Sequence, residues 1–509
     1  MRGEPSQVPE DEREALVTIA HGAVVTSGGV SAQRVLTTAV AFVLARGLGP
    51  AAYGVYALAW RIAQLLVRVV PFGSVPALQR YLPAAEDDRQ RAAVSGLAYG
   101  TTAAFGLLIA VGVWLLAPTI DALTISRPTF PPTMRAFGLL VGLLGLITIS
   151  GATLRAVGSA RGEVLFNKLL RPGARLVGAV VALWLGLSVA GIADAIVVST
   201  GLLAVVAIPL SARATRIWPS LSGARAEARR FYDHAAPVAL SSLGKVFQNR
   251  IDVLFVGALL SAVAAGVYDV VLVVIAIAWI PLLAFNQLLP PVASDLYAND
   301  RVDVLNAVYG SATRLIVTTV VPIIAVLVVY GRPLLSAFGP TYARGYLPLV
   351  VYLGGVFVGS AVGATGWLLM MTDHQYARMA LDWLLAVLNA GLTYLFVTHF
   401  GLVGAALGTA VAIAVQNGIQ VVLLRRFEGL WPFDRSFLPP IGAGLVALAV
   451  MWGVHQLLPV GGGALLGIPV GLLAYLGTLA LVGVDARDRL VVRELAGRYR
   501  VALAGWVGR

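Results

Sequence analysis

The chain has 509 residues, 59% of them hydrophobic and only 12% charged, with 37 Lys and Arg against 25 Asp and Glu for a net charge of +12. A soluble protein carries about twice that charged fraction, and the mean hydropathy of +0.85 belongs to a membrane protein. Cysteine is absent and only five His occur, none at a metal-ligand spacing, which excludes disulfides, thiol catalysis and Cys-ligated metals.

The opening MRGEPSQVPEDERE is polar and acidic, unlike a signal peptide, which begins basic and turns apolar. Apolar runs long enough to cross a bilayer then recur along the whole chain. They predict an all-α, polytopic membrane protein of about fourteen spans, at roughly 18–45, 52–78, 92–117, 134–154, 170–187, 190–212, 234–257, 264–290, 304–330, 346–371, 379–398, 402–424, 438–458 and 464–484. An even number puts both termini on one side. With that side inside, most Lys and Arg fall in inner segments, including RATRIWPSLSGARAEARR and the basic tail 485–509. The outer loops then hold only Arg46, Arg127, Arg135, Arg332 and Arg344. The positive-inside rule therefore predicts a multi-pass protein of the cytoplasmic membrane with both termini in the cytoplasm. Basic loops against anionic headgroups account for the net charge, so no nucleic-acid partner is implied.

The chain also repeats itself. GVY at 54–56 returns at 266–268, and GLSVAGIADA from Gly186 aligns with GLVGAALGTA from Gly401. A nearly constant offset across six spans predicts two six-helix lobes of like orientation, related by pseudo-two-fold symmetry about the membrane normal, with two extra C-terminal helices. The expected units are a tail at 1–17, an N-lobe at 18–213, an inner linker at 214–233 and a C-lobe at 234–426. Spans 13 and 14 follow at 427–484, then the tail at 485–509.

ARGLGPAAYGVYALA after span 1, NRIDVLFVGALLSAVAAGVYDVV across spans 7 and 8 and GLVGAALGTAVA opening span 12 carry a resemblance. Together with the architecture, they resemble the polysaccharide-flippase family that includes O-antigen flippases, within the multidrug/oligosaccharidyl-lipid/polysaccharide exporter superfamily. The resemblance implies flipping of glycans linked to a polyprenyl phosphate or pyrophosphate, by rocking of the lobes. It also implies that spans 1, 2, 7 and 8 line a central cleft.

The candidate site is read from charges inside spans. Arg61 and Arg68 lie seven residues apart in span 2, on one helix face about 10 Å apart along the axis, with Gln64 between them. A central Arg costs about 2.5–3.5 kcal/mol on the insertion scale, so this face needs a polar interior or a water-filled cavity. Span 1 offers Ser27, Ser31, Arg34 and Thr38 at helical spacing. Span 7 offers Ser241, Ser242, Lys245, Gln248, Asn249 and Asp252, and span 9 offers Ser311, Arg314 and Thr318. The predicted cleft is lined by Arg34, Arg61, Gln64, Arg68, Lys245, Asn249, Asp252 and Arg314, with Asp269 as a further carboxylate. An excess of Arg suits phosphate or carboxylate, because the guanidinium fork binds either bidentately. Simple readings stand beside this one: Arg61 or Arg68 pairing with Asp252 or Asp269, Arg34 snorkelling, the span 7 stripe joining helices, and Asp252 holding a coupling ion, pairing or setting closure.

Three functions follow. The first is a flippase for lipid-linked oligosaccharide or polysaccharide precursors. The second is a multidrug antiporter of the same superfamily, which takes organic cations and calls for acidic residues where spans 1 and 2 carry three Arg. The third is a glycan polymerase or ligase, which calls for a large polar outer loop. The longest here, about Pro118 to Thr133, has Asp121 and Arg127 as its only charges. No Gly-rich phosphate loop precedes a Lys-Ser or Lys-Thr pair, which argues against ATP hydrolysis. The reading is a transporter rather than an enzyme, without cofactor or metal.

Overall fold

The computed structural model describes residues 9–247, 251–458, 460–483, 485, 487–490 and 493–494. They are helical throughout: α1 (Glu10–Val67), α2 (Ser74–Tyr81), α3 (Asp88–Ala122), α4 (Phe130–Ala156), α5 (Ala160–Glu163), a π-helical stretch (Val164–Leu170), α6 (Arg171–Trp184), α7 (Val189–Thr215), α8 (Ala224–Phe247), α9 (Ile251–Leu259) and α10 (Ala262–Ala278). The chain continues with α11 (Ile280–Phe285), α12 (Leu289–Ala298), α13 (Val302–Ala337), α14 (Tyr346–Ala361), α15 (Thr365–Met371), α16 (Gln375–Glu428), α17 (Leu438–Leu457) and α18 (Val460–Val482). Among the described residues, nine helical stretches are long and apolar enough to cross a membrane, or ten if α10 and the helices after its 52° bend form one broken span.

Expected spans 1 and 2 run as the single helix α1, broken at Gly49 (φ 73°, ψ 169°) before Pro50. Spans 11 and 12 run as α16, broken at Gly401 (φ 57°, ψ −131°). Both breaks need a left-handed residue without a Cβ, which glycine supplies. Gly186, the residue aligned with Gly401 in the first half, also has a positive φ of 69°. Expected span 5 is the last part of a continuous helix through α5, the π-helical stretch and α6, from Ala160 to Trp184. Pro172 has no N–H for the carbonyl four residues back, and the turn before it widens: the Arg171 N–H reaches the Phe166 carbonyl, five residues back.

The outward faces of α3, α7 and α18 expose Leu107, Trp114, Leu202, Val205, Leu473 and Leu476, which is surface suited to lipid rather than water. The main core draws Tyr53, Tyr56 and Leu58 of α1 together with Phe137 and Leu140 of α4 and Val267, Tyr268 and Val271 of α10. At the other end of α1, Leu16, Ile19 and Ala20 share a core with Leu289, Leu305 and Val308. The first helix therefore packs on both halves of the chain.

The duplicated GVY motifs meet each other. A Cβ on Gly54 would lie 1.7 Å from the Ala262 carbonyl oxygen, and one on Gly266 would lie 2.7 Å from the Pro50 oxygen and 3.1 Å from the Gly54 Cα. Residues that touch their own repeat mates lie where the two halves meet. Only glycine permits this backbone-to-backbone approach.

Candidate functional site

The break at Gly49 folds the two limbs of α1 against each other, so that side chains from both face one space. Gln33, Arg34, Thr37 and Thr38 come from the first limb, and Tyr53, Trp60, Arg61 and Gln64 from the second. With Asp269 of α10 and Arg175 of α6 they line a cavity of about 130 Å³. A second cavity of about 150 Å³ shares the wall of Gln33, Thr37, Trp60, Gln64 and Arg175 and adds Asn167 and Arg171. Among the described residues, the two together present four arginines and one aspartate.

Arg61 is held from both halves of the chain. Its Nε donates to Asp269 Oδ1 at 2.6 Å, its Nη1 donates to Gln64 Oε1 at 3.1 Å, and Tyr53 donates its hydroxyl to Asp269 Oδ2 at 2.7 Å. The pair is largely buried, with Arg61 12% and Asp269 6% exposed. A buried pair of this kind adds little net stability, but removing one partner leaves an uncompensated charge and costs about 3–5 kcal/mol. Arg175 is buried too. It donates Nε to the Tyr56 hydroxyl at 2.7 Å and lies 3.6 Å from the centroid of the Trp60 ring, a cation–π contact of about 0.5–2 kcal/mol. The repeat mates Tyr56 and Tyr268 thus hold opposite charges, since Tyr268 donates to Asp252 Oδ2 at 2.9 Å.

The predicted residues divide accordingly. Arg34, Arg61 and Gln64 come together, with Asp269 opposite. Arg68 does not join them. It is exposed at the C-cap of α1, because the chain leaves the helix through Pro71 and the left-handed Gly73. It is therefore not in the middle of a span. Asp252 is buried under Tyr268 and the Val253 N–H, outside the cavity lining. Asn249 and the side chain of Lys245 lie outside the described residues.

Arg314 is placed elsewhere. It is 1% exposed and bonds Asp488 through Nε at 2.8 Å and Asp485 through Nη2 at 3.0 Å, with the Ser436 hydroxyl as a further acceptor. Burial pushes the Asp488 carboxyl above the usual carboxylate range, and the opposing pull of Arg314 offsets this only in part. Arg314 lines a separate cavity of about 310 Å³ with Trp431, Phe433 and Asp434. Its neutralising partners lie more than a hundred residues farther along the chain, so its stripe on the helix was misleading. Nearby, Arg487 pairs with Glu12 and Arg13 with Glu494, tying the start of α1 to the segment after α18.

Tyr53, Trp60, Arg171 and Arg175 were not foreseen. The only signal for the two arginines is RPGAR, an i, i+4 pair straddling a proline at the start of a span. Among the described residues no three His, Asp or Glu converge as a metal site requires.

The sequence pattern of a polysaccharide biosynthesis protein family matches residues 43–344, more than half of the chain. The chain belongs to that family. It is 24% identical over 232 residues to the probable low-salt glycan biosynthesis flippase Agl15 of Haloferax volcanii, a match covering 45% of this chain and 48% of that protein. The chain thus aligns with about half the length of this curated relative. Among solved structures, the lipid II flippase MurJ in an inward closed conformation superposes with a TM-score of 0.74 at 13% identity, over 90% of this chain and 98% of that one. An inward-facing multidrug resistance MATE family transporter of the MOP superfamily gives a TM-score of 0.65 at 16% identity, over 80% and 98%. These likenesses establish the fold of this family member.

Proposed function

We propose that this member of the polysaccharide biosynthesis family is a transporter that flips a glycan linked to a polyprenyl phosphate or pyrophosphate across the cytoplasmic membrane. One observation carries the reading: among the described residues, the space between the halves is walled by Arg34, Arg61 and Arg175 against the single carboxylate of Asp269. A cationic cavity in low dielectric attracts phosphate and repels organic cations. The flippase names borne by one sequence relative and one fold neighbour support the same reading.

Asp269 holds Arg61 while the cavity is small. A phosphate entering beside Arg61 would compete with Asp269 for the guanidinium and so favour separation of the halves. In this reading the lobes are 18–213 and 234–426, joined by the inner linker 214–233, with 427–484 added at the lipid face. Both termini, including the tail 485–509, lie in the cytoplasm. Lys245 and Asn249 remain proposed as cleft residues of the span 7 stripe.

Melting of the purified full chain in detergent tests the substrate class. Polyprenyl pyrophosphate should raise the melting midpoint by binding the folded state, and tetraphenylphosphonium should not. Stabilisation by the organic cation alone would favour the multidrug reading, to which the fold is also suited.

A further inference from the structure

The cavity between α1, α4, α6 and α7 holds charges that the Arg61–Asp269 pair does not use. Arg171 and Arg175 stand one helical turn apart on α6, and both line it. Arg175 is 9% exposed, and its one hydrogen bond among the described residues is to the neutral Tyr56 hydroxyl. Among the described residues Arg171 makes no ion pair or side-chain hydrogen bond. Beside it, Asn167 Oδ1 is buried without a hydrogen-bond partner. Two like charges at i, i+4 repel, and a buried acceptor left unpaired is unfavourable. Asn167 lies in the π-helical stretch and Arg171 directly after it, both on the cavity wall, and such widened turns occur often at functional sites.

We infer that this cavity is a second oxyanion subsite beside that of Arg61, in which Arg171, with Arg175 shared between the two, binds a negatively charged group of the transported molecule while Asn167 accepts a hydrogen bond from a neighbouring hydroxyl. The inference rests on the transport reading above and deepens it. The two cavities adjoin along Gln33, Thr37, Trp60, Gln64 and Arg175, so one molecule bearing two acidic groups spans both. The group at Arg171 is a phosphate of the linkage or the carboxylate of an acidic sugar, since the guanidinium fork fits either.

The test uses the purified full chain in detergent, with inorganic pyrophosphate and glucuronate as separate probes, in wild type, Arg171→Gln, Arg171→Lys and Arg61→Gln. Arg171→Gln should raise the half-saturating concentration of one probe about tenfold or more, as expected for losing a charged hydrogen bond, and Arg171→Lys should lose less. Loss of pyrophosphate binding assigns the subsite to the linkage, and loss of glucuronate binding assigns it to an acidic sugar. Because Arg171 has no carboxylate to leave behind, Arg171→Gln should also melt no lower than wild type without ligand. If Arg171→Gln binds both probes as wild type does while Arg61→Gln loses pyrophosphate, the second subsite is wrong and the transport reading stands. If wild type binds neither probe, both fall.

Discussion

Arg61→Ala should abolish transport and, by itself, lower the amount of protein in the membrane. The single substitution leaves Asp269 buried with, among the described residues, only the Tyr53 hydroxyl as donor, an uncompensated charge worth about 3–5 kcal/mol. Loss of activity in that variant alone would not separate binding from folding. The double variant Arg61→Ala, Asp269→Asn removes both charges together, and replacing a whole buried pair is often neutral. It should accumulate to near wild-type levels and still fail to transport. Membrane level and glycan export measured side by side decide the matter. Normal export by the double variant would make Arg61 a structural partner of Asp269 and nothing more.

Gly54→Ala should disable the cycle by a different route. Its Cβ would fall 1.7 Å from the Ala262 carbonyl oxygen, a backbone atom that no side-chain rotation relieves. Overpacking costs up to about 3 kcal/mol in well-packed cores. If the contact forms only when the halves meet, that cost shifts the equilibrium about 150-fold toward separation. The chain has no cysteine, and Ala262 is 2% exposed. An Ala262→Cys reporter should therefore label slowly from outside the cell with an impermeant thiol reagent, and much faster when Gly54→Ala is added. Equal rates would mean that the GVY contact does not close the outer mouth. Labelling only after the cells are opened would reverse the proposed orientation.

Much of the fold was legible because bilayer thickness sets the length of an apolar run, and the repeated GVY motifs, far apart in sequence, are in contact in the structure. Arg61 was legible for the same reason that it is expensive: a charge in an apolar helix demands a partner, and Asp269 was among those offered. Other residues were hidden by distance or by backbone geometry. Arg314 shares a helix face with Ser311 and Thr318 and looks like cleft lining, but Asp485 and Asp488, which neutralise it, follow α18. Arg68 looked intramembrane because the apolar run continues past it, while Pro71 and Gly73 turn the chain away. Arg171 and Arg175 sit where an apolar run begins, a position that reads as a snorkelling edge. Both nevertheless line the cavity, just after a widened turn that helical periodicity does not encode.

The central claim is that the cationic space between the halves carries a lipid-linked glycan from one leaflet to the other. Purified protein reconstituted in liposomes with a fluorescent polyprenyl-pyrophosphate oligosaccharide tests it directly, with a membrane-impermeant reductant erasing only the label it can reach. Vesicles holding wild type should lose nearly all fluorescence as inner-leaflet lipid arrives outside, whereas vesicles holding the Arg61→Ala, Asp269→Asn variant should retain the inner-leaflet share. Retention of that share by wild type, or its equal loss with both proteins, would contradict the account.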